Sequence, residues 1–386
     1  MALTLTFAVA VIGFAASNAA RIVFPLYALS LDAQPFEIGV LTSVFYVAPL
    51  LLSWVIGTFT DRAGPRWPLA LSVFFGAVGA LIPYFAATMP ALYAASALSG
   101  LSFALFLGIL QNLVGLLSTP AHRAQNFSNF SMTGAAATFV APLIAGFSID
   151  GWGNAIACLV VVGMTLVVGA MLWRWGGLLP GGNRHIGPGA SILKSLRDPG
   201  VAPLLATSSF AQLGTDLFQF YIPIYGYGLG YSASAIGAVL AAFAAAAFLT
   251  RFVLWRLIAR FGGARLLAYS FYVGAFGFVL MPFFENAVAL GVVAFIFGLG
   301  TGCSQPLITA LMFGRSAQGR TGEALGLRLT ANNVARLAGP FVFGGIGSAF
   351  GILPVFFTSA AMMGAGGLLS RASAGGGKRD RANRQS

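Results

Sequence analysis

Pro25-Leu-Tyr27-Ala-Leu-Ser-Leu31-Asp-Ala-Gln-Pro-Phe-Glu-Ile38-Gly39 returns, 198 residues later, as Pro223-Ile-Tyr225-Gly-Tyr-Gly-Leu229-Gly-Tyr-Ser-Ala-Ser-Ala-Ile236-Gly237. The same ungapped register sets Phe45, Arg62 and Gly64 against Phe243, Arg260 and Gly262, and Pro142 and Gly146 against Pro340 and Gly344. In a chain with 50 glycines a matched glycine means little. Matched prolines and tyrosines in one register mean more. The two halves therefore carry the same elements in the same order and orientation. Such a parallel repeat about an axis along a membrane normal predicts a site between the halves near the midplane.

The membrane follows from composition. Of 386 residues 58% are hydrophobic and only 8% charged, with a mean hydropathy of +0.87. No soluble domain of this size hides so much apolar surface. A crossing needs about 20 apolar residues, and the sequence predicts twelve: 5–29, 38–58, 67–86, 91–117, 130–149, 153–174, 202–226, 235–258, 266–284, 288–313, 324–349 and 353–370. The expected fold is an all-α polytopic membrane protein, its twelve transmembrane helices forming two pseudo-symmetric six-helix bundles, 1–174 and 201–372. Between them 175–200 reads as a cytoplasmic linker. There Ile192, Leu193 and Leu196 alternate with Lys194 and Arg197, which suits a short amphipathic surface helix. Residues 373–386 read as a disordered basic tail.

Charge sets the orientation. The turns near 30–37, 87–90, 149–152, 227–234, 285–287 and 350–352 hold no Lys or Arg. The opposite loops hold Arg62, Arg66, Arg123, Arg184, Lys194, Arg197, Arg260, Arg265, Arg315 and Arg320, and the tail adds Lys378, Arg379, Arg381 and Arg384. The positive-inside rule then places both termini in the cytoplasm of a bacterial-type inner membrane. The net charge of +12 suits loops lying on an anionic leaflet rather than nucleic acid. Apolar sequence runs on past Ala16, Asn18 and Ala20 with no basic stretch before it, so the first run reads as a span and not a removed signal. Cys158 and Cys303 fall inside spans and imply no disulfide framework. The sequons at Asn126 and Asn129 fall on the cytoplasmic side and read as chance matches.

Gly57-Thr-Phe-Thr-Asp61-Arg62-Ala-Gly64-Pro-Arg66 resembles the loop 2–3 signature of the major facilitator superfamily, G-x-x-x-D-R-x-G-x-[RK]. Gly134 with Ala141-Pro142-Leu-Ile-Ala-Gly146 resembles that superfamily's antiporter motif, with Ala where Gly usually precedes Pro. Gly339-Pro340-Phe-Val-Phe-Gly344-Gly345 repeats the motif intact. The resemblance covers essentially the whole chain and points to the twelve-span, proton-coupled drug and metabolite exporter branch. It implies alternating access, with Asp61, Arg62, Gly64 and Arg66 latching the outward-facing state. The equivalent turn in the second half, Trp255-Arg256-Leu-Ile-Ala259-Arg260-Phe-Gly262, lacks the acid, so the latch is expected only in the first half. Pro142, Gly146, Gly339 and Pro340 allow bending and close helix approach, as gates or as packing alone. Arg251 matches an arginine often seen in the eighth span of such transporters, and reads as a gate or packing element.

Ionisable groups in hydrocarbon are costly and mark pathways. Here they are Arg21, Asp216, Arg251, Arg328 and Arg336. Asp216 shares a helix face with Gln212 and Gln219, and the repeat sets Asn18 opposite Asp216 and Arg21 opposite Gln219. Three roles for Asp216 stay open: proton carrier, substrate contact, or half of a static ion pair with Arg21 or Arg336. Arg328, Asn332 and Arg336 line one face of the eleventh span. Arg328 is expected to snorkel to the cytoplasmic surface, and Arg336 to be deep enough to hold a carboxylate or phosphate. Gln111 and Gln305 add neutral polar groups. The expected substrate-binding set is thus Arg21, Asn18, Gln212, Gln219, Arg336, Asn332, Gln111 and Gln305.

No G-x-x-x-x-G-K-[ST] loop is present, so ATP hydrolysis is not expected. His122 and His185 fall in loops, and no metal site, cofactor or nucleophile–base set is expected. The sequence reads as a secondary active transporter and not an enzyme. It most resembles a proton-coupled exporter of small amphipathic organic compounds that works as a monomer in the lipid bilayer. Uptake of an organic anion and a non-transporting sensor or scaffold are the alternatives.

Overall fold

A backbone crossing hydrocarbon finds no water to bond, and the α-helix satisfies its N–H and C=O groups within the segment itself. The computed structural model describes residues 1–119, 122–180, 202–315 and 321–383, and within them there is no strand. Side chains are described across those ranges except at 53–63, 124, 202, 313–315, 321–325 and 372–383. The helices are α1 (Ala2–Ser30), α2 (Pro35–Ala63), α3 (Arg66–Phe85), α4 (Met89–Leu117), α5 (Arg123–Trp175), α6 (Ala202–Gly228), α7 (Ala233–Phe261), α8 (Gly263–Leu280), α9 (Ala287–Thr301), α10 (Ser304–Arg315), α11 (Thr321–Phe350) and α12 (Ile352–Asn383).

These twelve helices differ in detail from the twelve predicted spans. The fifth and sixth spans form one run, α5, broken at Gly153, where φ is 82°. The tenth span is α9 followed by α10, with Gly302 capping α9. Among the described residues nine stretches are long and apolar enough to cross a membrane, one of them the 54-residue Gln125–Leu178. At about twice the length a crossing needs, that stretch has room for two spans. The predicted spans 202–226 and 324–349 are helical but not among the nine. Gln212, Asp216 and Gln219 interrupt the first of them, and Arg328, Asn332, Asn333 and Arg336 the second. The polar residues that make these helices interesting also dilute their apolar signal.

At the C-terminus α12 runs to Asn383, into the tail expected to be disordered. A formed helix supplies the nucleus, so added residues need only propagate it. The linker helix expected around 192–197 lies outside the described residues.

The repeat is written in the backbone. Among the described residues six have positive φ: Asp32, Gly64, Gly153, Gly230, Gly262 and Gly351. They fall into three pairs, Asp32 with Gly230, Gly64 with Gly262 and Gly153 with Gly351, each 198 residues apart. Packing repeats as well. A Cβ on Gly100 would strike the carbonyl of Phe45, and one on Gly298 the carbonyl of Phe243, at the same offset.

The chain separates into two compact units. Unit 1 is Met1–Pro188 with Pro223–Ala241, and unit 2 is Gly189–Ile222 with Ala242–Ser386. The boundary thus departs from the expected bundles: the end of α6 and the start of α7 group with the first half of the chain. In unit 1, α1 packs along α5, and Phe14 sits edge-on to Phe106 and Phe130 at 5.5 and 5.6 Å. In unit 2, α8 packs along α12, and Phe218 stacks on Phe297 at 4.8 Å with Phe243 and Phe278 around it.

Candidate functional site

Unit 2 gathers its polar side chains from three helices. On α6, Ser208, Gln212 and Asp216 stand one turn apart on one face, all buried. Gln305 comes from α10, and Arg328, Asn332 and Arg336 from one face of α11. They form a continuous chain of hydrogen bonds. The Arg328 Nη1 donates to Gln305 Oε1 at 2.9 Å, and Gln305 Nε2 donates to Gln212 Oε1 at 3.1 Å. Gln212 Nε2 donates to Asp216 Oδ2 at 2.9 Å, the same oxygen that receives Arg336 Nε at 3.2 Å. Beside this chain Ser208 donates to Asn332 Oδ1 at 3.0 Å.

The Asp216 side chain is 5% exposed and that of Arg336 25%. A carboxylate so enclosed is tolerable only when a cation and donors meet it, and Oδ2 has both. Arg328, expected to snorkel, instead turns to Gln305 and is half-buried. Its neutral partner lies within the helix cluster, which holds the head back from the surface. Gln219 is half-buried and joins no side-chain hydrogen bond among the described residues.

Unit 1 treats its counterpart residues differently. Arg21 lies over the rings of Tyr46 and Phe45, at 5.2 and 5.8 Å, and reaches Asn18 Oδ1 at 3.5 Å. Asn18 in turn donates to Thr138 Oγ1 at 3.4 Å. Gln111 is exposed and joins neither cluster through a side-chain hydrogen bond among the described residues. Of the expected binding set the structure therefore joins Gln212, Gln305 and Arg336 to Asp216, places Asn332 beside them, and keeps Asn18 with Arg21.

The expected gates divide in the same way. The side chains of Asp61 and Arg62 lie outside the described residues. Gly64 caps α2 with φ 72°, a conformation that favours glycine. Arg66 Nη2 donates to the carbonyls of Gly177 and Leu179 at 2.8 and 3.3 Å, where a cation satisfies carbonyls left over at a helix end. Arg251 is half-buried, and its Nε has no hydrogen-bond partner. Gly339 sits against the Leu213 side chain, and Pro340 lies inside α11.

Pro142 and Gly146 meet the start of α7 within unit 1. A Cβ on Gly146 would crowd the Ala233 carbonyl, and one on Gly237 the Pro142 carbonyl. Close by, Asp150 accepts from the backbone N–H groups of Ala233 and Ser234 at 2.9 and 2.8 Å. Those are the free N–H groups of a helix start, which a carboxylate suits by charge and geometry. Sequence reasoning missed Asp150 and Ser208. The signal for Asp150 was an acid in one outer turn and a serine-rich helix start, Ser232-Ala-Ser234, in another.

Comparison with known proteins agrees with this architecture. The sequence profile of the Major Facilitator Superfamily matches residues 5–340 and again 204–383. Multidrug resistance protein MdtG of Klebsiella pneumoniae (strain 342) is 22% identical over 335 residues, covering 84% of this chain and 80% of that protein. Its Serratia proteamaculans (strain 568) namesake is 21% identical over 332 residues, covering 83% and 80%. In fold the chain resembles the nucleoside transporter NupG, with TM-score 0.74, 13% identity and coverage of 96% and 98%. A POT family transporter in complex with 5-aminolevulinic acid gives 0.78, 11%, 95% and 94%. A profile matched over most of the chain, transporter folds around it and a helical membrane architecture lead to one conclusion: the chain belongs to the Major Facilitator Superfamily, as a multi-pass membrane transporter and not an enzyme.

Proposed function

We propose that this transporter exports small amphipathic organic compounds in exchange for protons, and that Asp216 carries the proton. The observation that carries the reading is the shared oxygen: Asp216 Oδ2 receives Gln212 and Arg336 together inside a buried cluster. Proton uptake removes the charge that holds Arg336, so protonation of one group frees another for a different partner. A two-state element of this kind couples an ion to a conformational change when its two states differ in affinity for the proton. Alternating access is the mechanism that such coupling would drive in a transporter built on parallel repeats.

Export is supported by the paired antiporter-like motifs around Pro142 (Ala-Pro) and Pro340 (Gly-Pro) and by the similarity to multidrug resistance proteins. The basic loops support both termini facing the cytoplasm of a bacterial inner membrane. One chain carries both repeats, which supports a functional monomer.

The test is the internal pH of proteoliposomes on addition of amphipathic compounds, with wild type beside Asp216→Asn. Compound-triggered proton flux that vanishes in Asp216→Asn is the expected result, and its sign separates antiport from the uptake reading. A mutant with wild-type proton flux would sink the proposal.

A further inference from the structure

Among the described residues, the charges of this hydrogen-bonded cluster do not cancel. Along the chain of bonds described above, two guanidinium groups face one carboxylate. Arg336 is met by Asp216, but Arg328 meets the neutral amide of Gln305, and no carboxylate pairs with it among the described residues. Its Nε is buried and has no hydrogen-bond partner among the described residues. Arg328 also lies within electrostatic reach of Arg336, so each cation raises the potential at the other. In a low-dielectric setting such an excess is expensive.

An anionic ligand removes the expense. A carboxylate or phosphonate matches the planar guanidinium fork and is bound more strongly there than a neutral acceptor. Asn332 and Gln305 offer neutral donors beside the same arginines. An ammonium compound would meet the opposite: two repelling cations and one acid already paired.

We infer that the compound carried is an amphipathic organic anion whose acidic group is held by Arg328, with Arg336 completing the seat when Asp216 releases it. The inference rests on the transport reading above and adds the charge of the substrate to it. It assigns Arg328 a binding role in place of a surface one.

Three probes sharing one ring body test it: 2-naphthoate, 2-naphthamide and 2-naphthylmethylammonium. Equilibrium dialysis of the purified full chain with radiolabelled 2-naphthoate should show saturable binding, with the amide and the ammonium competing at least about tenfold more weakly. Arg328→Gln should weaken naphthoate binding by about tenfold or more, while Arg328→Lys, which keeps the charge, should retain part of it. Because no carboxylate among the described residues pairs with Arg328, Arg328→Gln should unfold at no lower temperature than wild type.

Absence of saturable naphthoate binding, equal competition by the ammonium, or wild-type binding in Arg328→Gln would each overturn the inference. An Arg328→Gln protein that unfolds early would do so too, by showing the arginine to be structural. Proton flux measured on the same preparation keeps the two proposals apart. Flux driven by the ammonium leaves proton-coupled export standing and removes the anion. Arg328-dependent naphthoate binding without proton movement keeps the anion and removes the coupling.

Discussion

Arg21 in unit 1 and Arg336 in unit 2 are both cations placed deep in predicted spans, and they are held by different physics. Arg21 rests on the faces of Tyr46 and Phe45 and touches Asn18. Arg336 binds the carboxylate of Asp216, which is tied through Gln212 and Gln305 to Arg328. An aromatic face cannot change its charge, whereas a carboxylate can. The repeat keeps one backbone twice while the side chains around these arginines differ: aromatic faces and an amide about Arg21, a carboxylate and two glutamines about Arg336. Under the proton-exchange proposal the Asp216–Arg336 pair is the element that responds to protons, and its contrast with Arg21 is what the variants below test.

The largest effect expected on that contrast comes from removing one member of the buried pair. Arg336→Met takes the Arg336 cation away from the enclosed Asp216, a change that costs roughly 3–5 kcal/mol in comparable buried pairs. Adding Asp216→Asn should recover most of the loss, because the amide has no charge to compensate. Thermal unfolding of the two single variants and the double variant gives the coupling. Additive losses would show that the two groups do not depend on each other, and unit 2 would lose its claim to a switchable pair.

A smaller effect should be equal in the two units. Gly100 and Gly298 each pack on a carbonyl, of Phe45 and of Phe243, at the same repeat position. Backbone cannot step aside as a side chain can, so Gly100→Ala and Gly298→Ala should each destabilise by about 1–3 kcal/mol. Unfolding midpoints that fall together would show that the scaffold is shared where the chemistry is not. If only one falls, the repeat is a matter of trace and not of packing.

Much of this was open to reading from the chain, for physical reasons. Apolar runs follow from the solvent, so the all-helical membrane fold could be read directly, and the 198-residue repeat returns in the paired positive-φ positions. The Asp216 stripe was legible because a lone acid in hydrocarbon stands out, and so was its partnership with Arg336 as one of three open roles. The direction of Arg328 was not legible, since a long side chain near a helix end reaches water or a neighbour with equal ease. Only Gln305, far off in sequence on α10, decides between them. Asp150 was hidden for a related reason: its partners are backbone N–H groups, to which sequence gives no name. The break at Gly153 was legible: it falls beside the turn expected at 149–152, and its repeat mate Gly351, in the turn expected at 350–352, has a positive φ as well.

The smallest effect expected lies in unit 1, and it bears on whether Arg21 is a fixture. A cation over an aromatic face contributes about 0.5–2 kcal/mol, depending on how far both are desolvated. Lysine keeps the charge but loses the planar contact with Tyr46 and Phe45. Arg21→Lys should therefore lower the unfolding midpoint slightly, and Tyr46→Leu should lower it further by also removing a fully buried side chain. The double variant isolates the ring–cation part, expected at about 1 kcal/mol. Proton flux in Arg21→Lys should keep its wild-type response to pH if Asp216 carries the proton. A coupling as large as that between Asp216 and Arg336, or a pH response that moves with Arg21, would place a second switchable cation in unit 1 and end the division of labour between the units.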